Sequence, residues 1–199
     1  MFTGIIQSKG SIKEILSSKE GARFTINTNA LDLSDSKVGD SIAVDGVCLT
    51  ATQVSGEWFS ADVSNETLAC TTFSGFKQGQ DVNLERSLRF NQGIDGHLVS
   101  GHVDGVGSVS SVEKDGDSVR IYIKVQSDIA KYIAKKGSIC INGVSLTVNS
   151  VVKNSFDVKI VPHTLSATTL GDLSLNSNVN LEIDQIARYV ERLLSQNEE

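Results

Sequence analysis

Two short stretches of the chain carry residue types that could do chemistry. Asp45-Gly46-Val47-Cys48-Leu49-Thr50 sets a thiol and a hydroxyl two residues apart. Asn142-Gly143-Val144-Ser145-Leu146-Thr147 sets two hydroxyls at the same spacing. In a β-strand, alternation turns Cys48 and Thr50 to one face and Leu49 to the other, and does the same for Ser145 and Thr147. Gly46 and Gly143 beside them allow a ligand close to the backbone. The expectation is a shallow polar pocket at each stretch. Cys48 also admits a plainer reading as a small buried core residue, but serine at the matching place is a poor core residue. The chain has three histidines, His97, His102 and His163. A histidine near a cysteine suggests a nucleophile and its base, although spacing alone does not bring them into contact. The threonine-rich segments 67–72 and 164–169 offer hydroxyls to a polar ligand or to turns and caps. Lys136 reads as a turn lysine or a ligand contact, and Asp184 as a helix cap.

The two stretches belong to a duplication. The equivalence Thr50 to Thr147 fixes an offset of 97 residues, and residues 4–85 align on 101–182 at that offset without a gap. Thr67-Leu68 matches Thr164-Leu165, and Val82-Asn83-Leu84-Glu85 matches Val179-Asn180-Leu181-Glu182. Each copy is long enough to be a small domain. His102 falls opposite Ile5, so the shared fold does not require a histidine there. The expected organisation is a first domain over 1–90, a Gly/Asn/Asp-rich linker over 91–97, a second domain over 98–183, and an unrepeated tail over 184–199.

Composition removes several function classes. Lys and Arg total 18 against 24 Asp and Glu, a formal net charge of −6. An acidic chain with no basic stripe is a poor nucleic-acid binder, since phosphate neutralisation supplies most of that affinity. No apolar run approaches the ~20 residues of a membrane span, and Met1-Phe2-Thr3-Gly4-Ile5-Ile6-Gln7 lacks the pattern of a secretory signal. Cysteine occurs only as Cys48, Cys70 and Cys140, which argues against a disulfide scaffold and for a reducing compartment, the cytoplasm. Three histidines leave little material for a metal site.

The positioning elements must be strands. Period-two alternation bounded by turn residues predicts strands at 10–15, 23–28, 41–44, 48–54, 58–63 and 82–85, and at the matching places of the second copy. About six short strands per copy is the pattern of a small closed antiparallel barrel. Helical turns are expected at 29–39 and 66–73. In the tail, Ile186, Tyr189, Val190, Leu193 and Leu194 recur at helical spacing over 185–195, behind Asp184 as a cap. This stripe packs across the barrels or meets its own copies in other subunits, and the second is favoured.

Met1-Phe2-Thr3-Gly4-Ile5-Ile6, both hairpin stretches, Gly96-His97-Leu98-Val99-Ser100-Gly101-His102-Val103-Asp104 and Val179-Asn180-Leu181-Glu182-Ile183-Asp184 together resemble riboflavin synthase along essentially the whole chain. The resemblance implies an all-β fold of two tandem six-stranded antiparallel Greek-key barrels with a C-terminal α-helix that gathers a homotrimer. It implies that two molecules of 6,7-dimethyl-8-ribityllumazine exchange a four-carbon unit, giving riboflavin and 5-amino-6-ribitylamino-uracil, without metal or separate redox cofactor. Association with lumazine synthase is left open, and neither nucleic acid nor membrane is a partner. Carried over by residue, the first-copy pocket uses Gly4, Ile5, Ile6, Ser41, Cys48, Leu49, Thr50, Asp62, Val63, Ser64 and Thr67, closed by Gly101, His102 and Val103. The second-copy pocket uses Lys136, Ser145, Leu146, Thr147, Ile160, Val161 and Thr164. Cys48 or a water it positions would add to the ring and His102 would handle protons, with Ser145 and Asp184 orienting the facing ligand. The rival is a non-catalytic lumazine or flavin carrier. That subgroup departs at the reactive positions, whereas Cys48, His97, His102, Ser145, Thr147 and Asp184 all stand here.

Overall fold

The computed structural model describes residues 1–195. The first copy builds β1 (Ser8–Ser17), β2 (Gly21–Asn27), β3 (Ser41–Val44), β4 (Val47–Val54), β5 (Trp58–Ser64) and β6 (Asp81–Arg86). The second builds β7 (Gly105–Asp115), β8 (Ser118–Lys124), β9 (Ser138–Ile141), β10 (Val144–Val152), β11 (Ser155–Ile160) and β12 (Asn178–Ile183). The first six close in the order β1-β2-β5-β4-β3-β6, and the second six close in the equivalent order. All pairings are antiparallel. Two six-stranded antiparallel barrels, as expected from the alternation, form the body of the molecule.

The duplicated sequence dictates duplicated backbone detail. Asp45-Gly46 and Asn142-Gly143 both hold positive φ, 43° and 80° against 45° and 83°. That is the two-residue turn whose twist matches a right-handed hairpin, and it joins Val44 to Val47 and Ile141 to Val144 in register. Irregularities recur at matching places, between Ile12 and Glu14 in β1 and between Val109 and Ser111 in β7. A one-residue bulge bends a strand, which a barrel this small needs to close. The apolar alternate residues fill each interior: Phe24, Ile26, Phe59 and Leu84 in one, Ile121, Ile123, Phe156 and Leu181 in the other.

Short helices and 3-10 turns connect the strands. In the first copy these are α1 (Asn65–Cys70) and a 3-10 turn at Thr72–Gly75. The second copy has α2 (Ser127–Ala130), α3 (Pro162–Ala167) and a 3-10 turn at Thr169–Asp172. The helical turn expected at 29–39 is absent: that segment is a run of turns stapled by Leu31 and Leu33, both buried. The tail forms α4 (Gln185–Ser195), with Asp184 Oδ1 accepting the Ile186 amide at 3.0 Å. Its apolar side chains Ile186, Tyr189 and Val190 are exposed. Residues 196–199, the end of the expected tail element, lie outside the described residues. Among the described residues no helix is long and apolar enough to cross a membrane.

The barrels meet about a local pseudo-twofold axis. Asn83 Nδ2 donates to the Asn142 carbonyl, and its equivalent Asn180 Nδ2 donates to the Asp45 carbonyl, both at 2.9 Å. Each asparagine Oδ1 also accepts an amide of the opposite copy, from Thr169 and Thr72 respectively, at 2.8 Å. Phe2 and Val99, equivalent by the offset, bond reciprocally through their backbones. They bury a small apolar cluster with Ala43 and Cys140.

Candidate active site

The structure crosses the copies. The segment ahead of each barrel's first strand leaves its own repeat and lies along the hairpin strand of the other. The Ser145 amide donates to the Gly4 carbonyl, and the Cys48 amide donates to the Gly101 carbonyl, each at 2.8 Å. Both glycines are obligatory. Gly4 and Gly101 hold φ of +77° and +80°, and a Cβ would come within 2.6 Å of Ser145 Cβ and 2.5 Å of Cys48 Cβ. We call these two segments the arms.

On the first barrel, Cys48 is half-buried and Thr50 exposed, while Leu49 between them faces the core. Ser41 pairs with Thr50 across β3 and β4. Asp62 and Ser64 lie on the outward face of β5, and Thr67 on α1. Ser64 Oγ accepts the Thr67 amide at 3.1 Å and so caps that helix. Asp62 is held by Arg23 in a two-pronged ion pair of 2.6 and 2.9 Å, which keeps its carboxyl below the usual carboxylate range. The second arm brings Gly101 onto Cys48, packs Val103 against the first core and leaves His102 exposed. Cys48, Thr50, Ser41, Gly101, His102 and Val103 are thus brought to one face.

Gly4, Ile5 and Ile6, expected in this pocket, belong to the other barrel: Gly4 bonds Ser145 and Ile6 packs against the second core. The resemblance sets Gly101, His102 and Val103 over the first-copy pocket but leaves the first arm on its own copy, because the aligned copies by themselves conceal which barrel an arm covers. Leu49, Val63 and Ile160 also depart from expectation. Their side chains are 1–4% exposed and point inward, since alternation gives the outer face to their neighbours.

On the second barrel, Ser145 and Thr147 occupy the places of Cys48 and Thr50, and Leu146 packs against the core. His97 Nδ1 lies 2.6 Å from Ser145 Oγ. Its other nitrogen, Nε2, is buried with no hydrogen-bond partner. Burial lowers the imidazole pKa below its ordinary 6.5, and the Asp184 carboxylate opposes that shift. Ser145 and His97 are thus in direct contact, and the Asp184 carboxylate lies within electrostatic reach of the imidazole. The sequence sets His97 in the linker and counts it among the reactive positions, but gives it no partner; the contact with Ser145 appears only in the structure. Lys136 holds φ of 68° where the first copy has Gly39, and both amides make the equivalent strand bond, to Val148 and Ala51. A lysine in left-handed backbone is strained relative to glycine. Val161 is exposed and Thr164 half-buried at the start of α3.

A cavity of about 650 Å³ opens between the barrels, lined by both copies through Asp45, Thr72, Asn142 and Thr169 among others. It contains none of the expected site residues. The faces bearing Cys48 and Ser145 are open strand surfaces, and Asp62, Val63 and Ser64 line a separate open depression of about 550 Å³ together with Arg23. Of the three free thiols, Cys140 is fully buried, and burial, with Glu182 and Glu85 nearby, pushes its pKa well up. Cys48 is the half-exposed thiol on a candidate pocket.

The lumazine binding domain model matches this chain twice, over residues 3–87 and 100–184. A riboflavin synthase from Photobacterium leiognathi is 45% identical over 194 residues, covering 98% of this chain and 89% of the relative. The chain belongs to the riboflavin synthase family. The family's Bacillus subtilis (strain 168) member is 37% identical over 98% of this chain and 90% of its own length. Among solved structures, LumP complexed with riboflavin superposes with a TM-score of 0.83 at 30% identity, over 92% of this chain and 99% of that one. LumP complexed with 6,7-dimethyl-8-(1'-D-ribityl) lumazine gives 0.81 at 28%, over 92% and 98%. The two family repeats coincide with the two barrels and their arms.

Proposed function

We propose that this chain is a riboflavin synthase. It takes two molecules of 6,7-dimethyl-8-ribityllumazine, moves a four-carbon unit from one to the other, and releases riboflavin with 5-amino-6-ribitylamino-uracil. One observation carries the reading: a single chain presents two matched but chemically unequal faces, Cys48–Thr50 under one arm and Ser145–Thr147 under the other. A reaction between two copies of one molecule needs two such faces, and their inequality assigns donor and acceptor. Stacking two rings at reacting distance converts an encounter into a nearly unimolecular step, worth up to ~7–11 kcal/mol.

The first face binds one lumazine through Ser41, Cys48, Thr50, Asp62, Ser64 and Thr67 under the second arm. The second face binds the other through Lys136, Ser145, Thr147, Val161 and Thr164 under Gly4, Ile5 and Ile6. Cys48, or a water it holds, adds to the ring. His102 removes and returns protons. Ser145, oriented by His97 beside Asp184, positions the facing ring. The strain at Lys136 is what a ligand contact would justify. Both faces are open, so each is completed by the opposite face of a neighbouring subunit, in a homotrimer gathered by the exposed stripe of α4. The free thiols fit a reducing cytoplasm, and a lumazine synthase shell is a compatible partner.

Incubating the purified protein with the lumazine alone tests the reading. Riboflavin and the pyrimidine should accumulate in equal amounts. A tightly held fluorophore without product would instead make this a carrier, the class to which the LumP likeness points. Steady-state rates of His102→Gln and Cys48→Ser test the roles: unchanged turnover in both would remove these residues from the chemistry.

A further inference from the structure

The last strand of each barrel carries a buried glutamate with no evident partner in sequence, Glu85 on β6 and Glu182 on β12, each 3% exposed or less. Burying a carboxylate costs several kcal/mol unless its oxygens are satisfied. The structure satisfies both in the same manner. Glu182 Oε1 accepts the Ser100 amide at 2.6 Å, and its Oε2 accepts the Gly101 and His102 amides at 2.8 and 3.0 Å. Glu85 Oε1 accepts the Thr3 amide at 2.7 Å and the Thr3 hydroxyl at 2.8 Å, while Oε2 accepts the Gly4 amide at 3.0 Å. Among the described residues neither carboxylate forms an ion pair with a basic side chain. Their partners are the arms, immediately before each arm crosses to the opposite barrel.

We infer that Glu182 and Glu85 are positioning residues that act crosswise: Glu182, on the second barrel, sets the arm that presents His102 to the Cys48 face, and Glu85, on the first barrel, sets the arm that closes the Ser145 face. An extended arm crossing open surface has few contacts to fix its register. Three charge-assisted bonds to one rigid carboxylate fix it, from three consecutive amides at Glu182 and from two consecutive amides and a hydroxyl at Glu85. At the other end of the same short span, the Gly101 carbonyl accepts the Cys48 amide. The chain from Glu182 through Gly101 to Cys48 is therefore continuous, as is that from Glu85 through Gly4 to Ser145. A perturbation in one barrel is felt at the pocket of the other. The inference deepens the synthase reading and rests on it for the catalytic consequence, but the crosswise wiring has its own readout.

Glu182→Gln and Glu85→Gln, in the full chain, test it by amide hydrogen exchange. Glutamine keeps the shape but offers one acceptor oxygen, and its amino group faces N–H donors. E182Q should accelerate exchange of the Cys48 amide by about tenfold or more while leaving the Ser145 amide within about threefold; E85Q should do the reverse. In E182Q, kcat should fall about tenfold with KM held within about threefold, since the arm carries His102 rather than the bulk of the binding face. Equal acceleration at both amides, or a change confined to the variant's own barrel, would overturn the inference and leave the glutamates as ordinary core groups. If E182Q does not fold, Glu182→Asp retains the charge but withdraws it by one methylene, and the same exchange pattern decides. Failure of the synthase reading would appear as absent turnover in the parent protein, with the crosswise exchange pattern intact.

Discussion

Gly101→Ala is the sharpest single test of the crossed arms. Two costs can be separated on the structure. The first is conformational: φ of +80° is left-handed, and an L-residue there costs about 1–2 kcal/mol. The second is contact: the new Cβ would stand 2.5 Å from Cys48 Cβ and 2.9 Å from the Cys48 nitrogen. Neither atom lies at the end of a flexible side chain, so the arm must lift, at the roughly 1–3 kcal/mol typical of overpacking. Gly79→Ala isolates the first cost, because Gly79 has φ of +83° and nothing within 4 Å of its notional Cβ. The entropic gain of replacing glycine in the unfolded chain, about 0.4–1 kcal/mol, is common to both variants and cancels in the difference. Less that gain, the net costs are about 0–1.6 and about 1–4.6 kcal/mol; at about 2–4 °C per kcal/mol for a chain of this size, G79A should lower Tm by up to about 6 °C and G101A by about 2–18 °C. Thermal unfolding followed by circular dichroism measures both. Turnover should separate them further: G101A displaces His102 and loses tenfold or more, while G79A, remote from both faces, keeps the parent rate. If G101A is no more harmful than G79A, the arm does not seat on Cys48 as described and the crossed geometry is wrong.

Asp45 is buried at the inter-barrel seam, and burial pushes its carboxyl up to about 7, so the native state favours the neutral acid. That contribution is full below its ordinary 3.8 and is lost as pH rises through about 7; Asp45→Asn, which copies Asn142 of the second repeat, should gain on the parent by about 4 kcal/mol between pH 4 and pH 8. Parallel slopes in urea titrations across that range would contradict this. The His97 imidazole should titrate below 6.5, and Asp184→Asn, by removing the carboxylate that opposes the shift, should lower the midpoint again; NMR titration finding a midpoint above 6.5 in the parent would refute the burial argument. On the proposed trimer, Ile186→Glu combined with Tyr189→Glu places charge on the exposed stripe of α4 and should yield folded monomers by sedimentation velocity, with lost turnover. An intact oligomer would move the interface elsewhere.

The local architecture was legible before any coordinates. Alternating apolar residues between turn signals specify strands, because a side-chain period of two can bury only one face. The Asp-Gly and Asn-Gly pairs specify tight hairpins, because few other residues tolerate two successive positive φ values. The outward turn of Cys48, Thr50, Ser145 and Thr147 followed from the same alternation. It also excluded Leu49, Val63 and Ile160 as side-chain contacts, a consequence the residue-by-residue resemblance passed over. The helical turn expected at 29–39 failed because Leu31 and Leu33 are drawn into the barrel interior, a tertiary demand that local preference does not register.

What the chain alone determined is what repeats at short range: two copies, two closing sheets, two polar hairpins, and a terminal amphipathic helix. The assignment of arms to faces belongs to tertiary structure. Gly4 meets Ser145 and Gly101 meets Cys48 because the copies pair about an axis, and a pairing of equals leaves no trace in the order of residues. The same holds for Glu85 and Glu182, which look like surface charges on exposed strand positions until the arms fold over them. Contacts between partners some 80 or more residues apart arise only when both surfaces exist, so their identity is a property of the assembled barrels rather than of either sequence segment.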